Sequence, residues 1–396
     1  MGAVGSGARS AARERCPKRM TYGPCGGVGF AGECEVSPQR CSFVDLETVR
    51  WHGVEADAPP GRSDPVPAPR PPARADWMRG RLAAGRVVVA DLPARALDAD
   101  SLAECAGILV GSVDAVLAGD SGSARVQFAP SYRAQLLRAA GMDVWSGLNC
   151  RDRNRVALEG ELAALAHAGV AGVHCVTGDH TRTGARPDAA PVFDLDSTGL
   201  ASIARAAGHL VSVAEAPATP PVARRAARLV EKARAGAEVC FVNHAGGAGP
   251  VADFVAAARA QAARVEAPRA EAPPVEALRA EALSVEAPPV EAGGAVPTAE
   301  AGRAGLAFVP CVPVIVDPGS AALLRSFTTL VLPPGYLDGI LADADPAAAG
   351  IAAAVDLSEE LLAVEGVSGV NLSGGAAPGR EAWFAEALAT IGQRLR

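Results

Sequence analysis

Two stretches of the chain carry side chains able to do chemistry. Asn149, Cys150, Arg151, Asp152, Arg153 and Asn154 form one polar run, and Thr177, Gly178, Asp179 and His180 form another a short distance on. Amides, guanidiniums, carboxylates and an imidazole gathered this way can bind a polar ligand, hold phosphate or move a proton. Nearer the start, Cys16, Cys25, Cys34 and Cys41 are separated by eight, eight and six residues, amid glycine, proline and charge. So short a segment cannot bury enough apolar surface to hold one shape, and thiolates binding a metal would staple it. Zinc and an iron–sulfur cluster both fit that donor set. Four free thiols are the alternative, because no CxxC knuckle is present.

The polar runs need a scaffold. Val144 to Leu148 and Val173 to Val176 are apolar runs of strand length, and Leu158, Leu162 and Leu165 fall on one helical face between them. Asp152 or Asn154 can cap that helix and Gly169 can end it. The result is a βαβ unit with parallel strands and both polar runs at the strands' carboxyl ends, the edge where such folds bind ligands. In a blander reading, Arg151, Asp152 and Arg153 are a solvated ion-pair knot that only shapes a turn. Further apolar runs are expected as strands at Val87–Ala90, Val113–Leu117, Leu210–Ala214, Val239–Val242, Val312–Val316 and Val367–Leu372, with helices such as Arg224–Ala235 and Leu357–Ala363 between them. Eight strands predict an α/β fold, a (β/α)8 TIM barrel with a small N-terminal cysteine-rich metal-binding domain. A doubly wound open sheet is the alternative, although no GxGxxG opens a helix. The organisation expected is a cysteine-rich domain at 1–54, a Pro/Ala-rich linker at 55–75 and the barrel at 76–396, interrupted at about 264–305 by VEAP- and AEAL-type repeats read as a solvated insertion.

Composition narrows the function classes. A net charge of −7 argues against a nucleic-acid surface, and no apolar run reaches membrane-spanning length. The arginine-bearing N-terminus lacks the apolar core of a secretory signal, so a cytoplasmic protein with reduced thiols is expected.

CRDRN followed one βαβ later by TGD resembles the flavin-dependent methylenetetrahydrofolate reductase family. CPKRMTYGPCGGV and GECEV resemble the small cysteine-rich domain that accompanies many of those enzymes and forms an iron–sulfur partner subunit in some anaerobes. The resemblance implies a flavin, FAD or FMN, held by Asn149 to Asn154, Thr177 to His180, Asp194 or Asp196, and Lys232 on its phosphate. Asp194 could equally cap the helix that follows. Asp179 would tune the flavin, and Asp91 would protonate the pterin where the family carries a glutamate. Asn243, in place of a glutamine, would bind the folate-type substrate, and Asn371 would close the pocket or merely form a turn. Asp120 could contact ligand or cap its own turn. Phe327 or Tyr336 would have to supply the stacking aromatic found after strand seven in the family. The implied activity is reduction of 5,10-methylenetetrahydrofolate to 5-methyltetrahydrofolate with NAD(P)H as donor, or with an electron-donor protein if the cysteines hold a cluster. A non-catalytic or electron-transfer accessory subunit, or a reductase of another pterin carrier, are the alternatives. FAD versus FMN, zinc versus iron–sulfur, and monomer versus homo-oligomer stay open.

Overall fold

A computed structural model of the chain describes residues 3–53, 73–119, 124–266, 305–327 and 329–396. Nearly all of the expected linker and insertion, and Asp120, lie outside the described residues. The cysteine-rich lead comprises helix α1 (Ala3–Arg15) and a two-stranded antiparallel pair, β1 (Glu33–Cys34) and β2 (Ser37–Arg40). Helix α2 (Ala73–Ala84) then precedes the barrel strands β3 (Val87–Asp91), β4 (Ala115–Ala118), β5 (Val144–Asn149), β6 (Gly172–Val176), β7 (Val211–Glu215), β8 (Val239–Val242), β9 (Ala307–Pro313) and β10 (Gly369–Ser373). All eight pair in parallel with sequential neighbours, and β10 closes on β3. This is the (β/α)8 barrel expected.

Alternation along the strands builds two cores. Val88, Ala90, Val116, Val144, Val173, Val211 and Val213 point outward into a layer shared with the surrounding helices. Val87, Val89, Ala115, Trp145, Leu210, Val239, Phe241 and Val309 point inward and fill the lower barrel. Ala75, Met78 and Leu82 of α2 join that inner cluster, so this helix closes the amino-terminal end of the barrel. Its start falls inside the stretch expected as linker, where proline and alanine gave no sign of it. Trp145 fits because Gly172 faces it: a Cβ there would lie 2.6 Å from the indole ring.

The seventh barrel strand begins earlier than expected. Residues 306–316 are one long apolar run, and only the Ala307, Val309, Cys311 set places side chains inward in register with Val239 and Phe241 of β8. Val314 to Val316 are instead a buried, non-strand approach to Asp317, which caps helix α9 (Pro318–Arg325) with Ser320. Between β5 and β6, helix α5 (Arg155–Ala168) starts at Asn154, whose side chain accepts from Ala157 N–H, and ends at Gly169 with φ 71°. Among the described residues no helix is long and apolar enough to cross a membrane.

The lead sits on the carboxyl-terminal mouth of the barrel. Asp196 caps helix α6 (Ser197–Ala206) with one oxygen and with the other accepts from the N–H groups of Thr21 and Tyr22 at 3.2 and 3.3 Å. From helix α7 (Arg225–Ala235), Glu231 accepts from Trp51 N–H at 2.6 Å and Arg225 donates to the Cys25 carbonyl at 3.2 Å. Arg224 donates to the carbonyls of Val44 and Leu46, and Glu35 accepts from His180 N–H.

Candidate functional site

Lead and barrel together enclose a cavity of about 580 Å³ over the carboxyl ends of the strands. Thr177, Gly178 and Asp179 form one wall, Glu215, Arg228 and Lys232 another, Asn243 and His244 a third, and Lys18 and Cys25 of the lead cover it. The volume suits a single drug-sized heterocycle. Gly178 has φ +84°, and a Cβ there would lie 3.0 Å from the Asn149 side chain, so the loop can turn only with glycine. Asp179 is largely exposed and stands 3.5 Å from the Arg125 guanidinium.

The floor near β7 is a buried charge cluster. Glu215 pairs with Lys232 Nζ at 2.8 Å and Arg225 Nη1 at 3.1 Å, all three side chains being at most 8% exposed. Burial raises the Glu215 carboxyl, but the charges of Lys232, Arg225 and Arg228 together outweigh it and hold the group below its ordinary value. Lys232, expected on a flavin phosphate, also donates to the Ala214 carbonyl at 2.6 Å. It lines the cavity with its ammonium already engaged. Arg228 donates to Thr198, while its buried Nε meets no partner among the described residues.

The loop from Asn149 to Asn154 does not line this cavity. Asn149 Oδ1 accepts from the N–H groups of Arg151 and Asp152 and so makes a turn. Arg151, wholly buried, forks onto both oxygens of Asp152 at 2.7 Å. Cys150 is buried and pushed well above the ordinary thiol value by burial. Asn154 is the helix cap, and one buried nitrogen of Arg153 has no partner among the described residues. The run shapes a turn, with Arg151 buried and Asp152 and Asn154 exposed, and it braces the Thr177–Asp179 wall from behind: Cys150 N–H donates to the Thr177 carbonyl.

His180 lies outside the cavity lining, and its Nδ1 accepts from Arg182 N–H. Asp194 accepts from Arg155 N–H at the start of α5, under the lead, and it is Asp196 that caps α6. Asp91, half-buried at the end of β3, accepts from Asn371 Nδ2 at 2.9 Å and Gly374 N–H at 3.2 Å. Burial raises its pKa although those bonds oppose it. Asn371 also contacts the Cys311 sulfur, which lines the cavity, and Asn371 Oδ1 has no partner among the described residues. Tyr336 donates to the Pro313 carbonyl, whereas Phe327 lines the cavity.

Cys16, Cys25, Cys34 and Cys41 surround one small cavity of about 20 Å³, and none forms a disulfide. Burial, with some mutual repulsion among the sulfurs, pushes Cys41 to about 11. Among the described residues no three or more His, Cys, Asp or Glu side chains converge closely enough to hold a metal ion. The donor chemistry fits a metal group; the spacing is not drawn in around a single ion. Lys18, Pro24, Cys25, Gly27 and Glu35 wall this small cavity and the large one alike.

Sequence reasoning missed His174, Arg228, His244 and Lys18 as cavity residues. His174 carried a signal in retrospect, an imidazole at an inward position of an otherwise apolar strand.

The class defined by this architecture is a (β/α)8 barrel capped at the carboxyl-terminal mouth of its strands by a cysteine-rich segment. Residues 4–55 match the family described as Methylene-tetrahydrofolate reductase C terminal. No curated protein matches the chain. Among solved structures, a protein from Clostridium thermocellum that binds two copies of 5-methyl-5,6,7,8-tetrahydrofolic acid is similar at TM-score 0.53 and 10% identity, over 81% of this chain and 100% of that one. 2,3-Dimethylmalate lyase is similar at TM-score 0.35 and 15% identity, over 46% of this chain and 65% of that one, too low to carry a comparison.

Proposed function

We propose that the barrel cavity binds a folate-type one-carbon carrier and that the chain reduces 5,10-methylenetetrahydrofolate to 5-methyltetrahydrofolate. The observation that carries this reading is the joint cavity: the segment that matches a methylenetetrahydrofolate reductase domain is itself part of the wall of the barrel's ligand space. The methyltetrahydrofolate bound by the similar Clostridium thermocellum barrel supports the substrate class. A flavin, FAD or FMN, would supply hydride transfer, with NAD(P)H as its reductant. In this reading its ring lies against the Thr177–Asp179 wall, while Lys232 and Arg151 already have carboxylate partners, so its phosphate falls to other groups. Asp91 is the proton donor in this reading, a carboxyl whose pKa burial raises and whose orientation Asn371 fixes; it stands behind the cavity lining, next to Cys311 through Asn371. Cys16, Cys25, Cys34 and Cys41, which surround one small cavity, would have to draw in to hold zinc or an iron–sulfur cluster that stabilises the lead or feeds electrons to the cavity.

The engaged Lys232 favours a second reading, in which the barrel is an accessory subunit that binds folate without turning it over. Anaerobically purified protein, supplied with FAD and assayed for 5-methyltetrahydrofolate formation, separates the two. A reductase makes product and loses about 10²–10⁴-fold in rate on Asp91→Asn. An accessory subunit makes none in either form.

A further inference from the structure

His174 stands in the middle of β6, in register with Gly147 of β5 and Ser212 of β7. It lines the cavity floor, and its ring meets Phe241 edge-on with centroids 4.9 Å apart. Gly147 of β5 and Gly119, just past the end of β4, approach each other so closely that a Cβ on Gly147 would lie 2.9 Å from the Gly119 backbone. A Cβ on Gly119 would meet nothing within 4 Å, so this part of the cavity lining is bare main chain.

The two ring nitrogens differ. Nδ1 is 2.9 Å from Ser212 Oγ, and Ser212 Oγ accepts from the Trp145 indole N–H at 2.8 Å. An indole can only donate, so the serine still has its own hydrogen to place. The Val173 carbonyl lies 3.4 Å away and His174 Nδ1 only 2.9 Å. We give that hydrogen to the nearer acceptor, Nδ1, instead of to the Val173 carbonyl, which leaves the one hydrogen of the neutral ring on Nε2. Nε2 bonds to none of the described residues, and the cavity lies beside it. Burial, with the Lys232 charge adding to it, pushes the imidazole down to about 3, so the ring stays neutral at physiological pH.

We propose that His174 is a ligand-recognition residue whose Nε2–H, fixed in tautomer by Trp145 and Ser212, donates to a carbonyl oxygen of a planar heterocycle lying on the barrel floor. A neutral donor beside the Lys232 ammonium selects an electron-rich acceptor and rejects a cation. The open space over Gly119 leaves room for a ring. The identity of that ring as a pterin rests on the folate reading above. Trp145 and Ser212 are positioning residues: they touch no ligand and act through the imidazole.

The test joins nitrogen NMR of histidine-labelled full-length protein with calorimetric binding of 5-methyltetrahydrofolate. The expected result is an Nε2–H tautomer in the wild type that is lost in Ser212→Ala. Affinity should fall about tenfold in His174→Phe and partly recover in His174→Gln, which restores an N–H donor. Unchanged far-ultraviolet circular dichroism in each variant separates this from misfolding. An Nδ1–H tautomer in the wild type, or equal affinity in His174→Phe, overturns the proposal while leaving the folate reading intact. Wild-type protein that does not bind the probe overturns the folate reading instead, and the tautomer then decides the donor alone.

Discussion

Glu215 shows how a single carboxylate organises the floor of the cavity. It is 2% exposed and balances Lys232 and Arg225, so Glu215→Gln strands two buried cations. The expected loss is about 3–5 kcal/mol at pH 7, read by urea unfolding. Its folded pKa is depressed, so the stability it contributes is present above the ordinary glutamate value of about 4.3 and is lost as pH falls through the folded value. The gap between wild type and variant should therefore close on the acid side; a gap constant down to strong acid would show that Glu215 is not the ionised partner. Residue types alone could not reveal this pairing. Lys232 on a helix and Glu215 at a strand end are 17 positions apart, and only the packing of α7 back onto β7 brings them together. The same holds for CRDRN: its capping asparagine and its ion pair were legible locally, but the choice between facing the ligand space and bracing its wall depends on which way the turn rolls.

At the scale of elements, the barrel was readable because each strand is a short apolar run and each intervening helix shows its own periodicity. What escaped was set by long-range packing. Helix α2 intersperses its apolar residues with three arginines, and their burial is set only by the open end of a barrel that needs a plug. The early start of β9 was hidden in a longer apolar run whose in-and-out phase is fixed by β8. The fit between Trp145 and Gly172 offers a test of that inner core. Gly172→Ala places a methyl 2.6 Å from the indole, in a site with no room to give. Destabilisation of about 1–3 kcal/mol is expected, together with a change in tryptophan fluorescence as the indole leaves Ser212. Unaltered fluorescence and unfolding would mean that the lower barrel is looser than drawn.

For the whole molecule, docking of the lead depends on a few carboxylates that each do two jobs. Asp196 caps α6 and anchors two amides of the lead. Asp196→Ala should cost about 0.5–2 kcal/mol as a lost cap. It should also make Arg13, Arg15 and Lys18 far more open to trypsin while the barrel resists. Cleavage of the lead at the wild-type rate would show that its seat is held by other contacts.

The wall shared by the two cavities has a thermodynamic corollary. Lys18, Pro24, Cys25, Gly27 and Glu35 belong to both, so neither space can change shape without the other registering it. Linkage makes the effect reciprocal: the factor by which order among the cysteines raises affinity in the barrel equals the factor by which a barrel ligand protects the cysteines. Equilibrium binding of a metal ion to the cysteines, measured with and without 5-methyltetrahydrofolate, and equilibrium folate affinity, measured with and without that metal, should return the same factor. A tenfold factor would correspond to about 1.4 kcal/mol stored in that partition. The cap would then serve as a reporter, carrying news of an occupied barrel to the protein surface.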